Sequence, residues 1–114
     1  MTGKKLYLQP RDMILNAIHD LASLQKAQIL MSDSPNGIVC LLVEIYAAQR
    51  EYHFIVCDVI GGRSGVTIEL CGEGEQTRRL IDHEFALLDY VLVDRAKIIL
   101  DESTEWDRQI EARQ

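Results

Sequence analysis

A glycine-rich segment with one arginine is the first stretch of this sequence whose residue types suggest chemistry. Residues 61–65 read Gly-Gly-Arg-Ser-Gly and include Arg63 and Ser64. Glycines let backbone N–H groups approach a phosphate closely, and a guanidinium adds positive charge. The spacing matches neither a Walker loop nor a dinucleotide-binding fingerprint. We therefore interpret the segment first as a hairpin loop and second as a ligand or anion site.

A pair of arginines near the start of a predicted helix extends this anion hypothesis. Arg78 and Arg79 stand where the helix dipole disfavours positive charge. Such a local inconsistency sometimes marks a functional position. The sequence predicts that these two arginines join Arg63 and Ser64 in one candidate anion site. A charged first helical turn is the plainer interpretation.

Several potential metal ligands share one face of the predicted sheet. Zinc accepts sulfur, nitrogen and oxygen ligands, but the spacings include no CxxC or HxxxH pattern. We therefore predict no metal and no cofactor. A second polar group, residues 82–84, is interpreted as surface helix. The potential metal ligands on the sheet are Cys40, Glu44, His53, Cys57, Glu69 and Cys71.

No catalytic constellation is evident around the nucleophilic side chains. The serines lie at turns or on a helix without a neighbouring base and acid. The three cysteines lie within apolar strands, where a thiol is shielded. Reduced, buried cysteines are typical of a cytoplasmic protein, so we expect that compartment and no disulfide. No catalytic residue is predicted.

Three apolar runs must position all of these side chains. Residues 38–47, 51–60 and 66–71 are rich in Val, Ile, Tyr and Phe, which favour strands. Alternation sorts their side chains onto two faces of a sheet. One face is continuously apolar and is predicted to be the core. It carries Val39, Leu41, Val43, Ile45, Tyr52, Phe54, Val56, Val66, Ile68 and Leu70.

The other sheet face is mixed but apolar at its centre, so it needs a cover. Either a helix or a second copy of the protein would serve. The candidate interface residues are Leu42, Tyr46, Ile55, Cys57 and Val59. A two-residue loop at Gln49 and Arg50 would pair Leu42 with Cys57.

The remaining segments are predicted to cover this meander. Spacings of three and four predict a helix over residues 11–26, followed by an edge strand at 27–31 and a turn at 32–37. A second helix runs from residue 76 or 77 to about 90, with helix or strand left open for 85–93. A turn at 94–95, a strand at 97–100 and a short helix at 104–112 follow. The prediction is one α+β domain over residues 1–114, an antiparallel meander of four to five strands with one N-terminal and one or two C-terminal helices.

The net charge and the hydropathy of the sequence exclude some classes of function. The net charge of −6 argues against a nucleic-acid partner, and no apolar run is long enough to cross a bilayer. We expect a non-catalytic acidic protein-interaction module of chaperone, immunity or adaptor type. It would form a homodimer and bind an unknown protein partner. The alternative is a small-ligand or anion-binding module, or a small enzyme, that uses residues 61–65 and the nearby arginines.

Overall fold

The structure is a computed structural model that describes the backbone of residues 1–113 and the side chains of residues 1–94. Its five strands form one antiparallel sheet in the order β1-β5-β4-β3-β2. The predicted α+β class is confirmed. The elements in chain order are β1 (Thr2–Tyr7), α1 (Arg11–Gln25), β2 (Gln28–Asp33), β3 (Ile38–Ile45), β4 (Ala48–Val59), β5 (Arg63–Leu70) and α2 (Glu75–Arg113).

The two helices lie on one face of the sheet and against each other. Helix α1 contacts β3, β4 and β5, whereas α2 contacts β1 and β5. The apolar stripe of α1 and the apolar arc of α2 therefore pack together on the predicted core face, where apolar burial is the main source of stability. Fully buried members of this core include Ile14, Ile18, Leu21, Leu41, Tyr52, Phe54, Ile68, Ile81 and Leu88.

The opposite sheet face carries neither helix among the described elements. Leu42 and Ile55 are half-buried, and Cys57 and Val59 are exposed. Tyr46 is 96% exposed at the end of the sheet. The interface predicted for these residues, and the homodimer with it, stays a prediction.

The turn between β3 and β4 corrects the predicted register. The turn residues are Tyr46 and Ala47, with φ angles of 53° and 63°. Two central residues with positive φ match the right-handed twist of a hairpin. Leu42 therefore pairs with Glu51, not with Cys57, and the predicted loop at Gln49 and Arg50 is wrong. The observed and predicted pairings differ by an even number of residues along β4, so each side chain still lies on its predicted face of the sheet.

Helix α2 also differs from its prediction. It continues without interruption to Arg113, so the predicted turn at 94–95, strand at 97–100 and separate helix at 104–112 are wrong. Alternation and helical periodicity were both compatible with residues 85–93. Helix is favoured because Phe85, Leu88 and Leu92 are all buried at spacings of three and four. No helix within residues 1–113 is long and apolar enough to span a membrane.

Candidate functional site: a buried carboxyl beside a gap in the sheet

A glutamate lies inside the core. Glu84 comes from α2 and is 0% exposed. Its Oε2 accepts a hydrogen bond of 2.8 Å from Nε2 of Gln25, in the last turn of α1. Its Oε1 has no hydrogen-bond partner among the described residues. Burial raises the pKa of Glu84 to about 7, although the bond from Gln25 acts in the opposite direction.

A tyrosine hydroxyl shares this interior region. Tyr52 is fully buried on the core face of β4, and its hydroxyl also has no partner in the described part of the chain. Burial raises the pKa of Tyr52 to about 12. The charge of Glu84 acts in the same direction, and that of Arg50 acts in the opposite direction. The hydroxyl is therefore within electrostatic range of both a carboxyl group and a cationic side chain.

The cationic side chain is that of Arg50, which lies two residues before Tyr52 on the same side of β4. Its side chain is half-buried, and its Nε is shielded from solvent. No ion pair or hydrogen bond of its guanidinium is found within residues 1–94. Three buried polar atoms from three residues, Glu84 Oε1, Tyr52 Oη and Arg50 Nε, are thus left without protein partners.

A gap in the sheet lies beside Arg50 at the surface. Strand β5 ends at Leu70, opposite Tyr52, while β4 extends four residues further to Ala48. This extension pairs with β3 but has no partner in β5. A groove of about 550 Å³ fills the gap, a volume typical of small-molecule sites. Its lining residues are Met1, Thr2, Gln49, Arg50, Glu51, His53, Glu69, Leu70 and Cys71.

This arrangement suits recognition of polar ligand atoms. A tyrosine hydroxyl donates and accepts hydrogen bonds, a guanidinium only donates, and a carboxyl does either according to its protonation. A carboxyl with a pKa near 7 can also take up or release a proton at neutral pH. Leaving such atoms unpaired in a core costs free energy, which is why buried polar groups nearly always have partners.

The structure does not bring the predicted anion-site residues together. Ser64 is buried at the start of β5, and its Oγ donates a 2.8 Å bond to the carbonyl oxygen of Gln9. Arg63 begins the same strand. Arg78 lies near Gly3, which pairs with Ile68, about 16 Å further along β5 at the usual rise per residue. Arg79 forms a 2.8 Å ion pair with Glu75.

The potential metal ligands are brought only partly together. His53 pairs in register with Cys40 and Glu69 and lies 3.5 Å from a carboxylate oxygen of Glu51. Cys40 is buried within the sheet, whereas Cys57 and Cys71 are exposed. Within the side chains described, no group of three His, Cys, Asp or Glu residues is close enough to hold a metal ion.

Glu84 was misinterpreted from the sequence as part of a surface polar group. The signal was available, because Glu84 lies three residues after Ile81 and four before Leu88. At helical spacing these neighbours place it inside the buried stripe. Arg50 was missed for another reason: the predicted turn placed it in a loop.

Comparisons with known proteins show the fold. No family model matches the chain, and no curated protein sequence matches it. The di-domain aromatase/cyclase StfQ from the steffimycin biosynthetic pathway superimposes with a TM-score of 0.61 at 12% identity, covering 89% of this chain and 46% of that one. The chain thus spans less than half of StfQ. The Zhui aromatase/cyclase from Streptomyces sp. R1128 gives a TM-score of 0.54 at 8% identity, covering 87% of this chain and 94% of that one.

A third structure, the TTHA0849 protein from Thermus thermophilus, gives a TM-score of 0.50 at 10% identity, covering 87% of this chain and 97% of that one. At these identities the similarity shows a shared fold. The prediction of a protein-interaction module is wrong, because two of these three structures are aromatase/cyclases, whose names denote small-molecule chemistry. The chain therefore shares the helix-and-sheet architecture of these three structures.

Proposed function

We propose that this protein binds a small organic ligand at the gap in the sheet, with a polar group of the ligand held by Tyr52 and Glu84. The observation that carries the proposal is the set of buried, unpartnered atoms at Glu84 Oε1, Tyr52 Oη and Arg50 Nε. They belong to β4 and α2, and one of the three residues, Arg50, also lines the groove.

A purely structural role explains these residues poorly. Replacing a buried polar group that lacks partners with an apolar group of similar shape is usually neutral or stabilising. A core selected only for stability would therefore favour Phe over Tyr52 and an apolar residue over Glu84. Stability given up at a site commonly reflects a functional requirement.

The route to the site follows from the groove. Arg50 lines it, and so does Leu70, the β5 residue paired with Tyr52. In the proposed route, the Arg50 side chain, which has no described partner to hold it, moves aside and opens a path to the Tyr52 hydroxyl. Glu84 lies on the helix side of that hydroxyl. The ligand enters beside Arg50 and places its polar group against Tyr52 and Glu84.

A ligand screen on paired tyrosine variants tests this proposal. Thermal shifts are measured with a panel of aromatic and aliphatic small molecules, since a ligand that binds only the folded state raises Tm. Tyr52→Phe removes the buried hydroxyl, whereas Tyr46→Phe removes an exposed one by the same chemical change. We expect Tyr52→Phe to weaken binding roughly tenfold, the loss of about one hydrogen bond, and to leave stability equal or higher.

The control variant Tyr46→Phe should bind every hit like the unchanged protein. Equal affinities for Tyr52→Phe and the unchanged protein would contradict the site. An absence of any Tm shift across the panel would contradict small-ligand binding itself.

A further inference from the structure

Arg50 has a shielded Nε but no partner among residues 1–94, whereas several other cationic side chains have one. Lys5 forms an ion pair with Asp89, Arg79 pairs with Glu75, and Arg11 donates to backbone carbonyl oxygens. Arg50 has neither an ion pair nor a hydrogen bond within residues 1–94, although its Nε is buried. A half-buried guanidinium without a counter-charge is free to pair with an anion from outside.

The acids of the same groove do not neutralise Arg50. Glu51 lies 3.5 Å from His53, on the opposite side of β4 from Arg50. Glu69 pairs in register with His53 and shares its face. Alternation along β4 therefore directs these acids to the outer face and Arg50 to the inner one. The core-side wall of the groove therefore carries the positive charge of Arg50.

The other unpartnered atoms can also donate to an anion. The Tyr52 hydroxyl is a donor, and Glu84 is a donor when it is protonated. Burial raises the pKa of Glu84 to about 7, so the protonated form predominates at pH 6. Arg50 thus supplies a positive charge at the wall of the groove, and two further potential donors, Tyr52 and Glu84, are buried on the core side of the sheet.

From this geometry we infer that the ligand is an organic anion, an apolar body carrying a carboxylate, phosphate or sulfonate group that pairs with Arg50 and accepts a hydrogen bond from Tyr52. The inference rests on the proposed ligand function and adds the charge class of the ligand. A guanidinium suits this role because its planar donors match two oxygens of such a group. The apolar body fits a groove of about 550 Å³ whose walls include Met1 and Leu70.

Two fluorescent probes that differ by one anionic group test the inference. 8-Anilino-1-naphthalenesulfonate and N-phenyl-1-naphthylamine share their ring system, and only the first carries a sulfonate. Both are titrated at pH 6 into the full chain and into Arg50→Met, Arg50→Lys and Arg63→Met. Arg63 is an exposed arginine at the far end of β5, so Arg63→Met is the matched control.

We expect the unchanged protein to bind the sulfonate probe at least about tenfold more tightly than the neutral probe, the scale of one charge-assisted hydrogen bond. Arg50→Met should abolish this preference, Arg50→Lys should retain part of it, and Arg63→Met should keep all of it. Circular dichroism and Tm confirm that each variant is folded. Displacement by 1-naphthoate or by 1-naphthyl phosphate then identifies the preferred anionic group.

Equal binding of the two probes to the unchanged protein would overturn the anion inference while supporting the ligand function. An anion preference that persists in Arg50→Met would overturn the role of Arg50. Failure of both probes to bind would count against the ligand site itself, and the inference would fall with it.

Discussion

At the scale of single residues, Glu84 links stability to pH. Its pKa is raised from 4.5 to about 7 in the folded protein, so the folded state holds a proton that the unfolded chain releases. Between these two values the folded state binds more protons than the unfolded state. The free energy of unfolding therefore falls as pH rises from about 4.5 to about 7, and Glu84 changes it no further above that range.

The variant Glu84→Gln tests this linkage. Glutamine keeps the shape and a polar group but does not titrate. Relative to Glu84→Gln, the unchanged protein should lose about 2–3 kcal/mol of unfolding free energy between pH 5 and pH 8. Urea unfolding at several pH values measures the difference. Parallel pH profiles for the two proteins would contradict a raised pKa, and a steeper profile for the variant would reverse the sign of the argument.

The residue scale is also where sequence-based prediction was least successful. The helical spacing of Ile81, Glu84 and Leu88 shows that Glu84 lies in an apolar stripe. The hydrogen bond that it accepts from Gln25 depends on how the two helices meet. The role of Arg50 depends on β5 ending before β4 does. Neither fact follows from local spacing.

At the scale of elements, short connections fix how α1, the β2–β3 turn and β4 lie together. The turn before β3 is held by the Asp33 side chain, which accepts a 2.7 Å bond from Asn36. Arg11, at the start of α1, donates a 2.7 Å bond to the carbonyl oxygen of Pro35. Gly37 has φ of 70°, and its carbonyl oxygen accepts a 2.7 Å bond from Val56 N–H. These contacts tie α1 and the β2–β3 turn to the centre of β4.

Two glycine variants separate backbone strain from steric clash. A Cβ on Gly37 would lie 2.1 Å from the carbonyl oxygen of Val56, whereas one on Gly61 would meet nothing within 4 Å. Both glycines have positive φ, so alanine costs about 1 kcal/mol at either position. Gly37→Ala should lose at least about another 1–2 kcal/mol, because the clash involves backbone. Chemical denaturation measures both, and equal losses would contradict the close approach.

Most elements were predictable because their patterns are local. The stripe over residues 11–26 predicted α1, and alternation predicted the core faces of β3, β4 and β5. The β3–β4 register was not predictable, since Tyr46 and Ala47 are unusual residues for positive φ. The sequence prediction divided α2 wrongly because residues 85–93 fit both the helical and the strand periodicity. The burial of this segment against α1 favours the helix.

At the scale of the whole molecule, the candidate ligand site and the predicted interface adjoin at one end of the sheet. Both helices occupy one face, and the groove at the gap beyond β5 is lined by Arg50 and Leu70 of that face and by Glu51, His53 and Glu69 of the other. The other face holds the predicted interface residues, and nothing described covers it. Leu42 on that face pairs in register with Glu51, which lines the groove, so a ligand at the gap and a partner on the uncovered face would be neighbours along β4.

Mapping a bound probe by NMR tests the ligand site most directly. Uniformly ¹⁵N-labelled protein is titrated with 8-anilino-1-naphthalenesulfonate at pH 6, and amide shifts are followed along the chain. We predict that the largest changes lie at Gln25, Arg50, Tyr52, Leu70 and Glu84, around the gap and the buried carboxyl. Changes confined to Leu42, Ile55, Cys57 and Val59 would instead place the probe on the uncovered face and contradict the proposed ligand site.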